Sequence, residues 1–73
     1  MTEQERWNLE AELRELESSL YYSPEFGDWK IIKIYEYRLQ NKPDPYDLET
    51  LEMKRQEARD RINEIRDLLK EGE

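Results

Sequence analysis

The sequence predicts an all-α protein of three helices, and two observations predict it. Apolar residues in the first and last thirds recur at steps of three and four, not at the alternation of a strand. Pro24 and Gly27, and then Asn41, Pro43 and Pro45, interrupt the chain twice. The expected helices cover about 3–22, 29–41 and 45–70, in a helical hairpin or three-helix bundle with coiled-coil-like seams. All 73 residues form a single helical domain.

The first helix opens on Thr2 and Glu5, the spacing in which a threonine hydroxyl and a glutamate can satisfy free backbone N–H groups at a helix start. Leu9, Leu13, Leu16 and Leu20 then recur by four, three and four between polar residues, making a narrow apolar stripe of coiled-coil type. Two heptads do not stand alone in water, so those leucines need the last helix or another copy to cover them. Trp7 lies off the stripe and is a candidate contact for a partner chain.

The middle segment, from Trp29 to Lys42, is ambiguous between helix and strand. Its Ile, Tyr and Trp content suits a strand, but Lys33 breaks the alternating face. As a helix it has two candidate apolar sides, Ile31, Ile34, Tyr35 and Arg38 or Ile32, Tyr35 and Leu39. Helix is preferred, because a lone strand leaves its backbone groups unpaired. Asp28 is expected to cap it, and Trp29, Tyr35 and Phe26 to serve as large fillers of a small core.

Asp44 is the expected cap of the last helix, with Pro45 in its first turn and Gly72 just past its end. Leu48, Leu51, Ala58, Ile62, Ile65 and Leu69 form its apolar row. Arg55 interrupts that row. Either it takes a counter-ion from Glu12, Glu15 or Glu17 of the first helix, or it lays its methylenes on the core and keeps its guanidinium in water. Glu57 is the expected partner of Arg61. At 1.5 Å per residue the last helix is roughly 39 Å long against roughly 20 Å for the middle one, which cannot cover it.

A chain of this size seldom draws more than roughly 3–5 kcal/mol from its core without a staple. With no Cys and no His, neither a disulfide nor a structural zinc site is expected, which leaves oligomerisation. A homo-oligomer is therefore expected, with Trp7, the leucine and isoleucine rows, Trp29, Ile32, Tyr35 and Arg55 as its interface and core residues.

No constellation of catalytic type is present. Ser18, Ser19 and Ser23 have no evident base, and the carboxylates lie at exposed helical spacing. An enzyme, a cofactor and a metal are all unexpected. The chain has a net charge of −7, unevenly spread: residues 1–28 carry −6, residues 29–43 carry +3 and residues 44–53 carry −4. Lys54 to Arg61 is a basic run, but it is broken by Glu57 and Asp60 in an acidic chain, which argues against nucleic acid; a binder would need Lys30, Lys33, Arg55 and Arg59 to form one patch. The acidic first helix raises an alternative, an inhibitor that mimics nucleic acid and binds a host protein. No run of about 18 apolar residues exists and the start is not that of a signal peptide, so a cytoplasmic protein without membrane contact is expected.

Over a little more than half its length the chain resembles short helical sequences encoded by bacteriophages and prophages, often in Gram-positive and gut bacteria and sometimes near tail genes. The shared elements are Asp28, Trp29, Ile32, Lys33, Glu36 and Leu39, then Pro45, Tyr46 and Asp47, then Leu51 and the run from Arg55 to Asn63. The resemblance implies a helix, a proline-containing turn and a longer helix. It implies a structural or interaction piece and brings no catalytic residues. A small, self-associating structural or protein-interaction module is the expected function.

Overall fold

The computed structural model describes residues 1–72. It contains three α-helices, α1 (Glu3–Tyr22), α2 (Asp28–Leu39) and α3 (Leu48–Glu71), and no strand among the described residues. The ambiguous middle segment is thus a helix.

Local chemistry accounts for each boundary. Thr2 Oγ1 accepts from the Glu5 backbone N–H at 3.1 Å and starts α1 at Glu3. After Tyr22 the Ser23 hydroxyl accepts from the N–H groups of Glu25 and Phe26, and the chain bends so tightly that Gly27 is buried. A Cβ at Gly27 would lie 2.7 Å from the Ser23 carbonyl oxygen and 2.9 Å from that of Tyr21, so only glycine fits the turn. Gly27, not Asp28, is the N-cap of α2, and Asp28 is its first helical residue.

The second turn differs from expectation at both ends. α2 stops at Leu39, not at 41, because Asn41 takes a left-handed φ of 58° while its N–H donates to the Arg38 carbonyl. α3 starts at Leu48, not at 45. Asp47 caps it, accepting from the N–H groups of Glu49 at 3.1 Å and Thr50 at 3.4 Å and from the Thr50 hydroxyl at 2.7 Å. Asp44, the expected cap, is instead held by two guanidinium nitrogens of Arg38, Nε at 2.8 Å and a terminal nitrogen at 2.7 Å, which leaves Pro45 outside the helix.

α1 and α3 form an antiparallel hairpin. The Met1 side chain lies beside Gly72, Arg6 donates to the Leu69 carbonyl, Glu12 meets Arg61, and Arg55 meets the Leu20 carbonyl, in that order along the pair. α2 does not lie along this hairpin as a third member. It contacts α1, and no Cα of α2 comes within 8 Å of one in α3. The molecule is a rod of 53 × 16 × 15 Å. α3 accounts for about 36 Å of that length, and α2 starts beside its first turns, where Lys30 lines a groove with Tyr46, Thr50, Leu51 and Lys54.

The core is correspondingly thin. Ile65 is wholly buried, and Ile34, Leu51, Ala58 and Ile62 are nearly so. α1 contributes no fully buried residue: Leu9, Leu13, Leu16 and Leu20 are all half-buried, as are Leu48 and Leu69 of α3. A helix with one neighbour can cover only part of its apolar stripe.

Candidate interaction surface

The joint that aims α2 is built on Arg55, whose side chain is 9% exposed. One terminal nitrogen donates to the carbonyls of Leu20 at 3.0 Å and Phe26 at 2.8 Å, and the other to the Asp28 carboxylate. α1 has no basic residue in its own last turn, so Arg55 supplies from α3 the cation that the negative end of that helix favours. Asp28 occupies the first turn of α2, where a negative charge is likewise favoured. One guanidinium therefore fastens the end of α1, the turn and the start of α2 to α3. The expected counter-ions Glu12, Glu15 and Glu17 are not the ones used, and the guanidinium is not in water. Among the described residues, Arg55 Nε is the one buried side-chain polar atom without a partner.

The first-helix acids pair elsewhere along the hairpin. Glu12 accepts from Arg61 at 2.5 and 3.1 Å, and that hydrogen bond holds its carboxyl below the usual range while raising the guanidinium. Arg61 also meets Glu64 at 2.9 Å, so its partners are Glu12 and Glu64 and not Glu57. Arg66 pairs with Glu17 at 2.9 Å, and Glu25 with Lys54. These bridges fix the register of α1 on α3, and their exposure makes each worth little by itself.

Several large apolar residues expected in the core or interface face solvent. Trp7 is 60% exposed and stands about 160° around α1 from Leu9, on its back. Trp29 is 41% exposed, with its indole N–H donating to the Ser23 carbonyl at 2.9 Å and its ring edge-on to Tyr46. Ile32 and Tyr35 are 56% and 63% exposed. Trp29 and Tyr35 are thus not the fillers of the core. The buried aliphatic residues are Ile34 of α2 and Leu51, Ala58, Ile62 and Ile65 of α3, and Phe26 is half-buried. Leu51, Arg55, Ala58, Ile62 and Ile65 are placed inside, as their row on α3 requires.

α2 is apolar on the side where a surface helix is normally polar. Ile34 is its buried residue, while Ile32, Tyr35 and the equally exposed Leu39 fall within about 60° of one another on the outer side. Both candidate sides of this helix are therefore apolar, and the hairpin covers only one. Leu39 is the residue of this face that periodicity showed but did not single out. Lys30, Lys33 and Lys42 lie over the rings of Trp29, Tyr37 and Tyr46 at 4.6–6.0 Å. Arg55 is buried against Asp28, so it does not join Lys30, Lys33 and Arg59 in one basic patch.

A shallow groove of about 410 Å³ runs beside Leu20 and Ile62, edged by Arg59, Arg66 and Tyr21. Among the described residues no helix is long and apolar enough to cross a membrane. No protein-family model, curated protein or solved structure matches the chain.

Proposed function

We propose that the chain is a small helical module that works by protein association, first of all with copies of itself, and that it serves a structural or docking role inside the cell. The observation that carries this reading is the surface. A folded monomer of 9.1 kDa is expected to expose about 4,900 Å², and this rod exposes 5566 Å². The excess, about 700 Å² per chain, is close to what each partner contributes to a standard protein–protein interface. Trp7, Trp29, Ile32, Tyr35 and Leu39 are among the exposed residues, of types that anchor interfaces or cores more often than they face water.

The resemblance to phage-encoded helical pieces supports the same class of role and extends the proposal to a component of a phage or prophage assembly. The nucleic-acid mimic needs free carboxylates along α1. Glu12 and Glu17 are engaged by Arg61 and Arg66, and Glu10 lies 3.7 Å from Arg6, which leaves that reading less support. Light scattering and sedimentation of the purified chain over a micromolar concentration series test the proposal. A mass above that of one chain is expected, and a folded monomer throughout the series would remove it.

A further inference from the structure

We infer that a row of lysines and aromatic rings, formed by α2 and the turn after it, is a docking surface for an acidic segment of a partner protein. The inference goes beyond self-association and stands whether or not the chain associates with copies of itself.

Lys30, Lys33 and Tyr37 fall within about 60° of one another on α2. Trp29 at the start of the helix, and Lys42 and Tyr46 from the turn that follows it, complete the row. Cations and rings alternate along it. The Lys30 ammonium lies 5.6 Å from the centre of the Trp29 ring and 4.6 Å from that of Tyr46. Lys33 lies 5.9 Å from Tyr46 and 6.0 Å from Tyr37, and Lys42 lies 5.5 Å from Tyr37. Lys30 and Lys33 are thus each shared between two rings, and Tyr46 and Tyr37 between two lysines.

No carboxylate neutralises this row. None of the three lysines forms an ion pair with another described residue, in a chain with 19 acidic residues against 12 basic ones. The neighbouring acids are engaged elsewhere: Asp28 by Arg55, Glu25 by Lys54, Asp44 by Arg38, and Asp47 by Thr50 and the first N–H groups of α3. Glu36 stands one turn beyond Lys33 without pairing with it. The result is a local positive field on an acidic protein. The rings also restrain it, because an ammonium laid over an aromatic face has given up part of its side-chain freedom before any anion arrives. That restraint lowers the cost of binding one.

Four features select an acidic protein segment over other anions. The row contains no arginine, the side chain whose fork suits phosphate, since Arg38 is committed to Asp44. Ammonium groups take up the ring surface on which bases would stack. A net charge of −7 sets a long polyphosphate against the rest of the chain, whereas a short acidic segment can meet the row alone. A membrane surface would need the lysines and the exposed apolar residues together, but Ile32, Tyr35 and Leu39 lie about 160° around α2 from the lysine row.

Fluorescence anisotropy with a labelled oligoglutamate peptide at low salt tests the inference. Binding that weakens as salt is added is expected. Lys33→Gln should weaken it by roughly threefold, and the triple substitution of Lys30, Lys33 and Lys42 by Gln by roughly tenfold or more. Lys70→Gln, which changes net charge equally at the far end of α3, should leave it unchanged. Tyr46→Leu keeps every charge but removes the ring that Lys30 and Lys33 share, and should also weaken binding; Tyr46→Phe, which keeps the ring, should not. Circular dichroism should show each variant as helical as the wild type.

No binding of oligoglutamate, or equal weakening by Lys33→Gln and Lys70→Gln, would overturn the inference. So would lysine-dependent binding of oligothymidylate or of phosphatidylserine vesicles without binding of oligoglutamate, or loss of self-association as the only effect of the triple substitution. A chain that is monomeric throughout and still binds oligoglutamate through these lysines would remove self-association and leave this surface standing.

Discussion

Arg55 is the residue on which the shape of this molecule turns. A buried guanidinium loses its hydration and is tolerated only where hydrogen bonds replace it; here two carbonyls and one carboxylate do so. Replacing Arg55 with Ala leaves those acceptors facing a cavity, and a loss of roughly 3 kcal/mol in urea-denaturation stability is expected. Arg55→Met, which keeps the volume and the apolar stem, should lose less. That Arg55 is out of place in an apolar row was legible from spacing alone. Its partner was not, because Asp28 is 27 residues away in the chain and is brought near only by the turn at Gly27. The abundance of acids on α1 pointed to Glu12, Glu15 and Glu17, yet the register of the hairpin puts Glu12 and Glu17 beside Arg61 and Arg66.

Among the elements, α1 and α3 owe their limits to side chains that satisfy free backbone groups, and competition between two caps displaced the start of α3. Asp44 and Asp47 are both suited to the position, and Arg38 removes the first from contention. Asp47→Ala should therefore cost about 1 kcal/mol of stability, read from chemical denaturation. Asp44→Ala should leave the start of α3 at Leu48, which backbone chemical shifts would report. Acid tests the same contacts together. Hydrogen bonds from Arg61, Arg38 and the Thr50 hydroxyl hold Glu12, Asp44 and Asp47, respectively, below the usual carboxylate range. The unfolded chain then binds protons at a higher pH than the folded one, so this stability is present above the ordinary carboxylate pKa values and is lost as pH falls through the folded ones. The melting temperature should accordingly be level above about pH 6 and decline below about pH 4.

At the scale of the whole molecule, the decisive quantity is how little is buried. A two-helix layer with a third helix packed on α1 alone has few buried aliphatic residues and leaves α1 with none that is fully buried. A protein that gains its remaining burial from a second copy should melt at a higher temperature as its concentration rises, by mass action. Scanning calorimetry across a fifty-fold or similar range would show this, and a melting temperature independent of concentration would count against it. The slender rod also predicts a hydrodynamic radius larger than that of a sphere of equal mass.

The sequence by itself determined the first and last helices, the span of α1, the buried row of α3 from Leu51 to Ile65 and the oddity of Arg55, and it favoured a helix for the middle segment without deciding it. Each of these follows from the period of a helix and from hydrogen bonds between near neighbours, which act over a few residues. Only the tertiary structure decided where α2 goes, which of its two apolar sides is covered, and which acid holds Arg55. Those outcomes depend on the direction in which a five-residue turn releases the chain, and backbone closeness at Gly27 together with one buried cation sets that direction. Periodicity shows that a face is apolar. Whether it meets the hairpin, a second copy or water is settled by geometry that no single helix contains.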